Sequence, residues 1–134
     1  MATILVIEDN EIALRLCSIM LGEKHHVLEA RNSDEGLKLL SEIKPDLVIT
    51  DLMVPDSNGF FPHRTTAVEL VGALRQIDKK VKIVVYSVLC YEPRLQKQAL
   101  ALGADACLIK MGDAELFRKT INRFLGLETL FAYG

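Results

Sequence analysis

The acidic residues Glu8, Asp9 and Asp51, the hydroxyl of Ser87 and the amine of Lys110 are the side chains of this sequence best suited to chemistry. Each follows or ends a short apolar run: Ile4 to Ile7, Leu47 to Thr50, Val81 to Tyr86 and Ala106 to Ile109. Such runs read as buried strands. If the strands are parallel, their C-terminal tips share one rim of a sheet, the edge where open α/β proteins place ligands. Clustered carboxylates repel one another, and a hard cation held by oxygen ligands and water offsets that repulsion; Mg2+ suits the role. Asp51 then reads as a carboxylate nucleophile for a phosphoryl group. Lys110 supplies positive charge and Ser87 a donor to the phosphoryl oxygens, which is most of what phosphoryl transfer needs. Singly, each residue has a plainer role. Glu8 and Asp9 would cap a helix, Asp51 a turn, Ser87 would be a small strand-end residue and Lys110 a solvated lysine. Four successive strand ends carrying this set in order favour the chemical reading.

The elements that position them alternate strand and helix. His26 to Glu29 reads as a further short strand. Helical faces are read at Ala13, Leu16, Cys17, Met20 and Leu21; at Leu37, Leu40 and Ile43; and at Ala67, Leu70, Val71, Leu74 and Ile77. Two more lie at Leu95, Ala99 and Leu102, and at Leu116, Phe117, Ile121, Phe124 and Leu125. Ser33 and Asp113 suit helix N-caps, Thr66 and Glu69 have capping-box spacing, and Pro93 suits a first turn. This alternation implies a parallel sheet covered on both faces and joined by right-handed crossovers.

The chain has 134 residues, enough for one core, and its net charge of -2 gives no reason to expect nucleic acid or an anionic membrane as a direct partner. No apolar run is long enough to span a membrane, and the N-terminus lacks a basic signal-peptide region. Cys17, Cys90 and Cys107 are odd in number and widely spaced, so they read as buried thiols of a reducing compartment. His25, His26 and His63 lack the spacing of a metal site and read as solvated.

The sequence resembles the receiver domain of two-component response regulators. The matching residues are Ile4 to Asn10 with Glu8-Asp9, Pro45 to Pro55 around Asp51 with Gly59, Val84 to Ser87, and Gly103 to Lys110. The resemblance implies an α/β fold, a flavodoxin-like (βα)5 three-layer sandwich with a five-stranded parallel sheet of order 2-1-3-4-5. It implies that Asp51 accepts a phosphoryl group from a histidine kinase, a phosphotransfer protein or a small phosphodonor. Glu8, Asp9, Asp51 and the main-chain carbonyl of Met53 would hold Mg2+. Ser87 and Lys110 would act as catalytic and switch residues, signalling to the face of helix four, strand five and helix five. That face would serve a downstream protein target or a homodimer. The expected setting is cytoplasmic, with catalysis limited to self-phosphorylation and slow dephosphorylation. Residues 1–126 are expected to form the receiver domain, and 127–134 a C-terminal tail with no output domain in this chain.

The sequence departs from the family pattern at several places. Cys107 stands at the usual aromatic switch position, with Tyr86 nearby as a substitute or as a packing residue. Met111 follows Lys110 where the family has Pro after a cis bond, so a trans bond or a strained site is expected. Val88 follows Ser87 where a smaller residue is common, which would narrow water access and slow loss of the phosphoryl group. The segment Phe60 to Thr66 reads as an insertion whose two Phe residues either meet a partner or fold back on helix three. These departures keep open an alternative, a phosphorylation-independent receiver-like interaction module. Intact Glu8, Asp9, Asp51, Ser87 and Lys110 weigh against it. An aspartyl-phosphate phosphatase would want Asp where Met53 stands, and a flavodoxin would not place acids in its first phosphate-facing turn.

Overall fold

A computed structural model describes residues 1–127, so the expected tail at 127–134 lies, apart from Leu127, outside the described residues. Five strands alternate with five α-helices: β1 (Thr3–Ile7), α1 (Glu11–Leu21), β2 (His26–Ala30), α2 (Ser33–Ile43), β3 (Leu47–Thr50), α3 (Glu69–Ile77), β4 (Lys82–Ser87), α4 (Pro93–Ala101), β5 (Ala106–Ile109) and α5 (Ala114–Phe124). A 3-10 turn at Val88–Tyr91, absent from the sequence reading, joins β4 to α4. The sheet is parallel throughout, in the order β2-β1-β3-β4-β5. This is the flavodoxin-like order that the resemblance implied.

Alternation along each strand divides the core into two layers. Ile4 and Val6 of β1, with Val84 and Tyr86 of β4, pack against Leu14 and Cys17 of α1 and Phe117 and Ile121 of α5. Leu5 and Ile7, with Ile83 and Val85, face α2, α3 and α4 through Leu40, Val71, Leu74 and Leu95. Register then fixes the rim. Ile7 lies opposite Thr50, Thr50 opposite Val85, and Ser87 opposite Ile109. Glu8, Asp51 and Lys110 lie just beyond Ile7, Thr50 and Ile109, and Ser87 is itself in the last pair.

Helix entrances differ in part from expectation. Asp113 caps α5 as read, accepting from Glu115 N at 2.9 Å and Leu116 N at 3.2 Å. Asn32, not Ser33, caps α2, because its carboxamide is one residue earlier on extended backbone and accepts from Glu35 N. The Thr66–Glu69 capping box does not form. Thr66 Oγ donates instead to the His63 carbonyl, and α3 begins at Glu69 with no side-chain cap. Ile43, Ile77 and Leu116, read as inward, are exposed near helix ends, where the facing layer no longer covers them.

The cysteine reading is corrected. Cys17 is a buried thiol, its pKa pushed up to about 12 chiefly by burial. Cys90 and Cys107, however, form a disulfide. Sequence separation hid the pairing. β5 lies beside β4 with Cys107 opposite Val85, and the 3-10 turn folds Cys90 back over that pair, which brings the two Cα atoms to 5.9 Å.

The insertion leaves Phe60 and Phe61 exposed. They overhang α2 and α3 across a cavity of about 370 Å3 shared with Leu37, Leu70 and Ala73. Arg64 crosses to the start of α4, donating to Tyr91 Oη at 3.1 Å and pairing with Glu92.

Gly36 marks the closest approach of α2 to the sheet. A Cβ there would lie 2.5 Å from Cδ1 of the fully buried Ile7. Alanine gains about 1 kcal/mol of helix propensity, but displacing a core side chain costs about 1–3 kcal/mol. Gly36→Ala is therefore expected to lower the urea midpoint at unchanged slope; a raised midpoint would show that Ile7 has room to turn.

Candidate functional site

Two adjacent strands, β1 and β3, deliver the acids. Glu8 and Asp51 follow β1 and β3 directly, and main-chain bonds extend the sheet to reach them: Glu8 N donates to the Ala30 carbonyl at 2.9 Å and Asp51 N to the Ile7 carbonyl at 3.0 Å. Both carboxylates are almost wholly buried, at 4% and 5% exposure. Two ionised groups so placed require a counter-charge. Lys110 provides it from the end of β5. Its Nζ lies 2.6 Å from Glu8 Oε1 and 2.7 Å from Asp51 Oδ2. Asp51 Oδ1 accepts from Leu52 N at 2.6 Å and Met53 N at 3.2 Å, which aims the carboxylate over the rim. Glu8 Oε2 accepts from Asn10 N at 3.2 Å. Glu8 does not cap α1; Asn10 does, through Oδ1 and Ala13 N.

The charges act on one another. Burial, more than the neighbouring Asp51, raises the pKa of Glu8 above the ordinary glutamate value, against the hydrogen bond from Lys110. Burial alone would lower Lys110, but its hydrogen bonds to Asp51 and Glu8 outweigh that, and its pKa is raised.

Ser87 is fully buried at the end of β4, where its Oγ accepts from Leu89 N at 3.2 Å. Its carbonyl accepts from Lys110 N at 3.2 Å, so the β4 and β5 ends are tied together. Asp9 is half-buried beside Glu8, and Met53 is half-buried in the turn after Asp51. Glu8, Asp51 and Lys110 thus meet directly. Ser87 joins them through main chain, while Asp9 and the Met53 carbonyl lie alongside. Among the described residues, no group of three His, Cys, Asp or Glu side chains converges to hold a metal ion as the side chains lie.

One contact was only half legible in the sequence. Tyr86 is buried against Phe117, with ring centroids 5.0 Å apart, and its Oη accepts from Met111 N at 2.9 Å. The Lys110–Met111 bond is trans, as expected, and Met111 takes a left-handed φ of 63°. Tyr86 therefore anchors the turn that carries Lys110. Strand alternation sends Tyr86 into the α1–α5 layer, but the partner of its hydroxyl is a main-chain group that no side-chain pattern reveals.

The family model for the response regulator receiver domain matches residues 4–122. The chain belongs to this family. The receiver domain is 31% identical over 130 residues to protein PilH of Pseudomonas aeruginosa, with 93% of this chain and 98% of that protein covered. It is 25% identical to the polar-differentiation response regulator DivK of Brucella anthropi, covering 92% and 96% of the two. It is also 31% identical to the nitrate/nitrite response regulator NarL of Escherichia coli, where it spans 54% of the relative's length. Solved folds agree. A two-component response regulator from Clostridium difficile superposes with a TM-score of 0.79 at 22% identity, over 93% of this chain and 96% of that one. Chemotaxis response regulator CheY4 of Vibrio cholerae gives 0.76 at 24% identity, over 92% and 98%.

Removing the ammonium tests the electrostatic account. Lys110→Met leaves Glu8 and Asp51 buried without their counter-ion and is expected to cost about 3 kcal/mol in urea unfolding without metal. The folded-state pKa of Lys110 is raised, so its contribution is fully present below about 10.5 and lost as pH climbs through the raised value. Wild-type protein should accordingly lose more stability than Lys110→Met across that range, and parallel pH profiles would refute the pairing.

Proposed function

We propose that this receiver domain accepts a phosphoryl group on Asp51 from a histidine kinase or phosphotransfer protein, with Mg2+, and so switches a protein-binding surface in the cytoplasm. The observation that carries the reading is the bridging of Glu8 and Asp51 by one ammonium, Lys110 Nζ. It indicates a rim that converges negative oxygen on a cation and holds a lysine within reach of the acceptor carboxylate.

The residues fit a divalent cation. Glu8, Asp9, Asp51 and the Met53 carbonyl are all hard oxygen donors, and two of them already converge on positive charge. When bound, Mg2+ supplies the charge that offsets both the carboxylates and the phosphoryl oxygens. The chain's own groups do the rest. A carboxylate oxygen of Asp51 attacks phosphorus, and the bond from phosphorus to the donor atom breaks on the opposite side. Lys110 neutralises charge growing on a phosphoryl oxygen. Ser87 exchanges its bond with Leu89 N for donation from its hydroxyl to another of those oxygens. The product is a bound phosphate whose charge repositions the β4–α4 and β5–α5 segments. Among the described residues no helix is long and apolar enough to cross a membrane. The catalysis proposed is confined to the domain's own phosphorylation and its slow reversal.

The deciding experiment is intact mass after incubation with Mg2+ and acetyl phosphate. One added phosphoryl group is expected, absent from Asp51→Asn and absent when the metal is chelated. If neither acetyl phosphate nor beryllofluoride loads the wild-type protein, the reading fails, and a receiver that works through binding alone replaces it. Val88 follows Ser87 directly and is exposed. Val88→Ala should admit water and shorten the lifetime of the phosphorylated form; an unchanged decay rate would remove Val88 from the account.

A further inference from the structure

Cys90 and Cys107 link the two segments on which the site depends. Cys90 belongs to the 3-10 turn that follows Ser87 directly, and Cys107 belongs to the strand that Lys110 follows directly. Their bond spans 17 residues of sequence and closes the turn after β4 onto the outermost strand. The two sulfurs are not equally reachable. Cys90 is fully buried. Cys107 is half-buried and lines a groove of about 330 Å3 at the open edge of β5, with Gln96, Ile109 and Leu116. A small thiol or disulfide entering that groove meets Cys107 first.

The bond bears on the hydroxyl of Ser87. In this structure Ser87 Oγ accepts from Leu89 N, inside the turn that Cys90 completes. Gln96 of α4 donates to the Cys90 carbonyl, so the turn is held from the α4 side as well. For Ser87 to face a phosphoryl group, this hydrogen bond must open and the turn must give way. The cross-link to β5 resists that movement, and breaking it leaves only the weaker non-covalent ties.

We propose that Cys90 and Cys107 form a reversible redox site that exchanges with low-molecular-weight disulfides and thiols of the glutathione class, and that its oxidised state opposes the phosphoryl-bound state of Asp51. The coupling rests on the phosphoryl-acceptor reading of Asp51. To close the bond, the Cys107 thiolate attacks one sulfur of the small disulfide and expels one small thiolate, leaving a mixed disulfide. The Cys90 thiolate then attacks the Cys107 sulfur and expels the second. Two electrons pass from the protein thiols to the small disulfide, and the two thiol protons end on the released small thiols. Two molecules of the small thiol reverse both steps and leave as the small disulfide. In a reducing cytoplasm the pair is mostly open, and it closes under oxidation, as intracellular regulatory disulfides do.

The test uses the full chain in glutathione buffers of graded ratio, quenched by alkylation, with intact mass reading the bond. Calorimetry then gives the affinity of the oxidised and reduced forms for beryllofluoride with Mg2+. The reduced form is expected to bind tighter by about fivefold or more, and beryllofluoride must shift the disulfide equilibrium toward the dithiol by the same factor. Cys107→Ser should match the reduced protein in every buffer; if it does not fold, the two redox forms of the wild type still decide. Equal affinities overturn this inference alone and leave the Asp51 reading intact. Absence of the bond at every glutathione ratio also overturns it. Failure of beryllofluoride to bind either form overturns this inference, and failure of acetyl phosphate to load as well overturns the Asp51 reading too.

Discussion

Two nearly buried carboxylates share one ammonium, and the rest of the rim is arranged around that fact. Glu8 and Asp51 arrive from neighbouring strands, so their separation is set by sheet register and not by side-chain choice. Burial makes each of them costly when ionised. Lys110 relieves both at once, reaching back from β5, two strands from β3 and three from β1, because its turn is held in place. The Ser87 carbonyl holds the lysine's main chain, and the Tyr86 hydroxyl holds the next residue. Backbone ties of this kind position a flexible side chain more sharply than packing on the long lysine stem could.

The same charge balance fits a signalling role. One lysine offsets part of the rim's negative charge and lets Glu8 and Asp51 stay buried side by side. Ligand binding as proposed would replace one set of ion pairs by another and need not create the fold. The two apolar layers supply most of the stability and the Lys110 ion pairs a share of it, while the proposed response would come from exchange of counter-ions at the rim. The site rests directly on the core, where Val6, Cys17, Ile49 and Tyr86 line one small pocket with Glu8 and Asp51.

The sheet and the rim were legible in the sequence because both depend on short, periodic signals. Apolar runs of four to six residues gave the strands, and their tips gave Glu8, Asp51, Ser87 and Lys110. The order of the strands came from family resemblance, since alternation alone leaves several parallel arrangements open. What stayed hidden was contact between segments. The Cys90–Cys107 bond depends on a 3-10 turn that carries no sequence periodicity, and spacing in the chain argued against it. Arg64 reaches Glu92 across the insertion, a pairing fixed by how the loop closes. The Thr66–Glu69 motif misled for the opposite reason. Its local chemistry suits a cap, but the turn that brings the chain into α3 engages Thr66 with the His63 carbonyl first.

The pleat of β4 has one more consequence. Tyr86 and Ser87 are neighbours in sequence, yet they project into opposite layers, Tyr86 toward Phe117 of α5 and Ser87 toward the turn that leads to α4. The end of a single strand thus works as a fork. Under the proposed function, a disturbance confined to the hydroxyl of Ser87 would be passed along one prong, to α4. One that shifted the Lys110–Met111 turn would pull on the other, through the phenol to α5. A partner gripping both helices would then read the sum of the two, and one gripping a single helix only half the message.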